Sequence, residues 1–112
     1  MKRKQFDLQE TFSEATRTAD AAYTYRFVGR DQEAAAFFAK ASLLAVRCVG
    51  ALPDDAPSKA MALHAAAKFS YEAGSSADAL RFIGCAERLE LSQRDVIEFG
   101  RLRAEINAGL NG

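Results

Sequence analysis

Apolar residues along this chain recur three and four positions apart, and glycines, prolines and hydroxyl residues cut the pattern into five helical pieces. Thr11-Phe12-Ser13-Glu14 has the form of a capping box, with a hydroxyl at the N-cap and a carboxylate three residues on. It predicts a first helix running to about Val28, where Gly29 supplies the left-handed residue that ends helices. Asp31 reads as the next N-cap. The second helix, Gln32 to about Val49, carries Ala35, Phe38, Ala39, Leu43, Val46 and Val49 on one stripe expected to be buried. Gly50 to Pro57 holds both prolines and reads as the linker. Pro57 suits the first turn of a third helix, Ser58 to Ala73, closed by Gly74. Ser75 or Ser76 caps a fourth helix ending near Leu89. Ser92-Gln93-Arg94-Asp95 opens a fifth that runs to about Asn107, with residues 1–10 and 109–112 expected to fray. No stretch alternates with period two for long enough to be a strand. The expected class is all-α.

Short joints at Gly29 and Gly74 make antiparallel neighbours of helices one and two, and of helices three and four. Sliding the chain on itself by 45 residues relates the two hairpins, with five identities in the twenty positions from Ala22 to Ala41. Ala22 falls on Ala67, Gly29 on Gly74, Ala34 on Ala79, Phe37 on Phe82 and Ala41 on Ala86, while Phe38 meets Ile83. Small residues thus recur where helices must cross closely, and glycine recurs at both turns. The expected arrangement is two stacked antiparallel hairpins in a single domain, with helix five as a cap carrying Ile97, Phe99, Leu102 and Ile106. Phe38, Leu43, Leu63, Phe69, Leu80 and Ile83 are expected to be largely buried.

These positions resemble the tetratricopeptide (TPR) repeat. That pattern wants a small residue in the first helix, a Gly-rich turn, then Ala, a large apolar residue and Ala in the second. Ala22, Gly29, Ala34, Phe38 and Ala41 match it, with Tyr25 at the aromatic place, and Ala67, Gly74, Ala79, Ile83 and Ala86 match it again. The resemblance covers about residues 15–90 and extends to small bacterial TPR-like proteins of unassigned function. Departures are the spacing of 45 rather than 34, Val46 and Leu91 in place of the closing proline, and Ser70 opposite Tyr25. Gln32 to Ala41 is also similar to the second helix of HEPN-type bundles, some of which are ribonucleases in toxin–antitoxin pairs. Their Arg-to-His signature is missing upstream of His64, where Ser58, Lys59 and Ala60 stand. That resemblance implies at most a catalytically inactive partner. The two folds differ in that TPR-like hairpins stack in layers while the rival closes a bundle.

With 49% apolar and 27% charged residues, the chain can bury a core. Fifteen basic against fifteen acidic residues exclude a polybasic arm as its main business. Arg94, Arg101 and Arg103 on the last helix are interleaved with Asp95, Glu98 and Glu105, and Lys2, Arg3 and Lys4 are the only unbalanced run, so no nucleic-acid partner is expected. No signal peptide is read at the N-terminus. The stretch from Ala34 to Leu52 is interrupted by Lys40, Ser42 and Arg47, so no membrane partner is expected and the protein is placed in the cytoplasm. Cys48 and Cys85 read as two buried thiols, with one disulfide as the alternative.

His64 is the only histidine, which leaves no His-rich metal site and reads as hydrogen-bonded or groove-lining. No catalytic residue, metal or cofactor is assigned. The resemblance instead implies a non-enzymatic module or adaptor that binds a peptide or protein on the concave side of its first helices. Counting back from Gly29 gives Ala19, Tyr23 and Arg26, and from Gly74 gives His64, Lys68 and Tyr71. Tyr23, Arg26, His64, Lys68 and Tyr71 are the candidate partner-binding residues, an aromatic and basic set suited to an acidic peptide. The alternative is ordinary surface, with the cations exposed and the tyrosines half-buried. Phe6, Phe12 and Phe27 offer an uncovered face of helices one and two that could pair with a second copy or another protein.

Overall fold

The computed structural model describes residues 7–111, all-helical with five α-helices and, among those residues, no strand. Helix α1 spans Leu8–Phe27, α2 Asp31–Ala51, α3 Pro57–Glu72, α4 Ser76–Glu87 and α5 Gln93–Asn111. The expected class therefore stands, with several boundaries moved. Helix α1 begins ahead of the capping box because Asp7 caps it: its Oδ1 accepts from the Glu10 amide at 3.0 Å. Thr11 then sits in the first turn, and its hydroxyl donates back to the Asp7 carbonyl at 2.8 Å. A carboxylate at the positive end of the helix also gains from the dipole, which a hydroxyl does not. Asp31 is the first helical residue of α2 and not its cap, and Ser75 stands at the N-cap of α4 without a side-chain bond. Helix α2 runs through Gly50 to Ala51, shortening the linker, and α5 continues through Gly109 to Asn111. Ser92 does cap α5, its Oγ accepting from the Asp95 amide at 3.1 Å.

The two hairpin turns are the same structure 45 residues apart. Arg30 N–H reaches the Tyr25 carbonyl at 2.8 Å and Gly29 N–H the Arg26 carbonyl at 3.0 Å, with Gly29 at φ 82°. Ser75 N–H reaches the Ser70 carbonyl at 2.8 Å and Gly74 N–H the Tyr71 carbonyl at 3.0 Å, with Gly74 at φ 92°. This is the Schellman pattern, and it satisfies carbonyls that the helix end leaves free.

Packing runs in chain order: α1 on α2, α2 on α3, α3 on α4, and α5 on α4 and α3. Two cores result. Ala19, Ala22, Ala34, Phe38 and Ala41 form the first. Ala60, Leu63, Ala67, Ala79, Ile83 and Ala86 form the second, completed by Phe99, Leu102 and Ile106 of α5. Every residue matched between the hairpins as a crossing position is buried. Ile97 lies off the buried face of α5 and is exposed.

The stripe expected on α2 is rotated. Ala34, Phe38, Ala41, Ser42, Ala45 and Cys48 face inward, Leu44 with them, while Ala39 is exposed and Leu43 is 67% exposed. The reason is Ser42, which the apolar pattern passes over. Its hydroxyl donates to the Ala66 carbonyl at 3.0 Å and lies 2.7 Å from Ser70 Oγ, pinning α2 to α3 through a buried polar pair. Phe69 and Leu80 are half-buried rather than enclosed. Both cysteines are free thiols, and only Cys48 is buried, where burial pushes its thiol pKa up; Cys85 is exposed. Helix α2 is the one described helix long and apolar enough to cross a membrane, and its apolar side lies against α1 and α3.

Candidate functional site

Helices α1, α3 and the start of α5 enclose a cleft of about 630 Å³. Phe12 from α1, Met61, His64 and Phe69 from α3, and Asp95 and Glu98 from α5 line it. A second cavity of about 280 Å³ shares Phe12 and Met61 and adds Leu8 and Leu52, with no charged lining residue. Phe12 and Met61 are thus apolar residues that line both cavities, and Met61 is 57% exposed.

The structure divides the five sequence-derived site residues between two places. Only His64 and Lys68 line the cleft. His64 is half-buried with its ring edge against Phe99, centroids 5.2 Å apart. Burial draws its pKa below the ordinary histidine value, against the pull of the Glu98 and Asp95 carboxylates. In its neutral form the ring offers one donor and one acceptor.

Tyr23 and Arg26 lie instead about Glu72, and Tyr71 lies beside Lys68. Arg26 binds the Glu72 carboxylate, donates to the Glu72 carbonyl at 3.0 Å, and lies over the Phe38 ring at 4.7 Å. Lys68 Nζ is 3.6 Å from Glu72 Oε1 and 3.5 Å from Glu105 Oε1. Burial lowers the Lys68 pKa, but Glu72 and Glu105 more than reverse that, and it lies above the ordinary value. The result is a chain of alternating charges, Arg26–Glu72–Lys68–Glu105, that ties α1 to α3 and α3 to α5.

The tyrosines belong to this tied region. Tyr23, 42% exposed, sets its ring edge on Phe38 at 4.8 Å, and burial followed by Glu72 raises its pKa. Tyr71 lies under Lys68 at 6.0 Å, and its hydroxyl approaches Gly109 so closely that a Cβ there would meet it at 3.1 Å. Gly109 thus admits a packed tyrosine and is not merely a fraying end. Ala19, counted with the ligand-facing places, is buried in the first core. The expected basic character is corrected as well: both cations are matched by carboxylates, and the face as a whole is mixed.

Sequence reasoning missed Glu72, Glu105, Phe12 and Met61 as members of this face. Glu72 had a legible signal, standing four residues after Lys68 on one helix. Its side chain is only 11% exposed, an enclosure that α1 and α3 create together. The sequence groups Phe12 with Phe6 and Phe27 on a face for a second copy or another protein. Phe6 lies outside the described residues, and Phe27, 90% exposed, stands fifteen residues from Phe12 along α1. That is roughly 22 Å of helix rise, so Phe12 and Phe27 form no single patch.

Among the described residues no group of three or more His, Cys, Asp or Glu is gathered as a metal site. Comparison of the chain with protein-family models, curated proteins and solved structures gives no match in any of the three.

Proposed function

We propose that the protein is a non-enzymatic interaction module or adaptor that holds a peptide or partner protein in the groove between α1, α3 and α5. The observation that carries this reading is the groove itself: an apolar floor of Phe12, Met61 and Phe69 with a few polar groups at its wall. A TPR-like array of hairpins agrees with the serial packing order and with dimensions of 49 × 34 × 20 Å. The same openness weighs against a HEPN-like closed bundle. The reading assigns no catalytic residue or cofactor, and places the protein in the cytoplasm, in keeping with its two unpaired thiols.

The test is selection of peptides from a random library on the intact protein, followed by affinity measurement on two variants. Met61→Glu should weaken the selected peptides by about ten-fold or more, because a carboxylate then stands on the apolar floor. Leu43→Glu, on an exposed position of α2, should leave them unchanged. Peptides sensitive to Leu43 and indifferent to Met61 would move the interaction to α2 and overturn the groove reading.

A further inference from the structure

We propose that α5 pairs with α5 of a second copy of this chain, antiparallel and crossing at Gly100. Helix α5 ends the serial packing order, and Phe99, Leu102 and Ile106 commit one side of it to α3 and α4. Ile97, Gly100 and Ala104 stand exposed on the side turned away from that core, with Val96 exposed at its margin. Their spacings of three and four keep them on one face. Gly100 lies in the interior of α5, where glycine is a costly residue, and a Cβ added there would meet no atom within 4 Å. No neighbour among the described residues requires its small size, whereas a second helix crossing closely over it would.

The charges beside this face point to the occupant. Arg94, Glu98, Arg101 and Glu105 follow one another four, three and four residues apart, so one flank of α5 alternates positive and negative. Equal numbers of both signs favour neither an acidic nor a basic peptide, but their order complements a copy of itself. When two α5 helices run antiparallel about a two-fold axis at Gly100, the same flank of each comes together. Each residue then faces the one equally far on the other side of Gly100. Val96, four before it, faces the partner's Ala104, four after. Arg94 falls within one residue of the partner's Glu105, and Glu98 within one residue of the partner's Arg101. In a parallel pair, like charges would meet. Contacts within the chain leave these groups free to turn. Arg94 forms no ion pair among the described residues, and Arg101 meets Glu98 only at 4.0 Å. Glu105 meets Lys68 at 3.5 Å while 51% exposed. Exposed ion pairs set register more than they add affinity. A single helix-on-helix contact is smaller than the roughly 1,200–2,000 Å² that stable interfaces bury, so the pair is weak and concentration-dependent.

Sedimentation velocity on the intact protein, over about 10 μM to 1 mM, tests this. The average mass should climb towards that of two chains as the concentration rises. Gly100→Leu should abolish the climb, because the new side chain fills the crossing. Its melting temperature should be unchanged or higher, since that side chain starts from open space and suits a helix better than glycine. Exchanging two charges, Arg94→Glu with Glu98→Arg, keeps the net charge but sets like against like in the antiparallel pair, and should weaken it about ten-fold. Adding Arg101→Glu with Glu105→Arg restores the alternation and should restore the pair. A monomer at every concentration would overturn the proposal. Association that survives Gly100→Leu would place the self-contact on another face and overturn it as well. A quadruple variant that keeps its helicity but stays monomeric would overturn the antiparallel register.

Discussion

The two hairpins share one grid of small residues but fill it from different sources. In the first, Phe38 occupies the centre and packs against Tyr23 of α1 and Phe69 of α3, with ring centroids 4.8 and 6.4 Å away. In the second, the matched residue is Ile83, and the volume is completed by Phe99, Leu102 and Ile106 arriving from α5. At the next matched place Tyr25 stacks on Phe37 at 5.1 Å, whereas Ser70 is buried and meets Ser42. Small residues at the crossings set how closely helices approach, and the neighbouring element supplies what fills the remainder. The second hairpin therefore leans on α5, while the first leans on α3.

Removing α5 breaks that comparison most completely. Deletion of residues 93–112 would strip three buried side chains from the second core, worth about 1.5–3 kcal/mol each. The truncated chain should lose cooperative melting or aggregate, as seen by circular dichroism and light scattering. A truncated chain that melts like the full one would mean that the second hairpin is self-sufficient.

A smaller effect sharpens the equivalence of the hairpins. Ala22 and Ala67 are both fully buried at matched crossings. Ala22→Leu and Ala67→Leu should each cost roughly 1–3 kcal/mol by overpacking. Denaturant melts check this, and a loss below about half a kcal/mol at one site would show that its crossing is looser than its counterpart.

The smallest effect is electrostatic and confined to the second hairpin. His64 packs on Phe99 with a lowered pKa, so the unfolded chain binds this proton more readily than the folded one. Stability should therefore fall as pH drops from the ordinary histidine pKa, about 6.5, through the lower folded value, and level off below it. His64→Gln should flatten that slope in melting temperatures measured between neutral and mildly acidic pH. An unchanged slope would assign it to other groups.

The sequence by itself determined the helical class, the number of helices and the hairpin turns, because these depend on local physics. A glycine at φ 82° or 92° accepts a backbone conformation other residues resist, and the small positions recur at the spacing of one helix face. Helix five was legible for the same reason, through Phe99, Leu102 and Ile106. The tertiary structure decided the rest. Which side of α2 is buried turned on Ser42, whose hydroxyl is tolerable inside only because α3 presents the Ala66 carbonyl and Ser70. The candidate site changed character for a similar reason. Arg26 and Lys68 read as free cations along the chain; Glu72 could be paired with Lys68 within α3, but Glu72 reaches Arg26 and Glu105 reaches Lys68 only once packing brings α1 and α5 to α3. Spacing within one helix is written in the sequence, whereas pairing between helices depends on the packing that brings distant residues together.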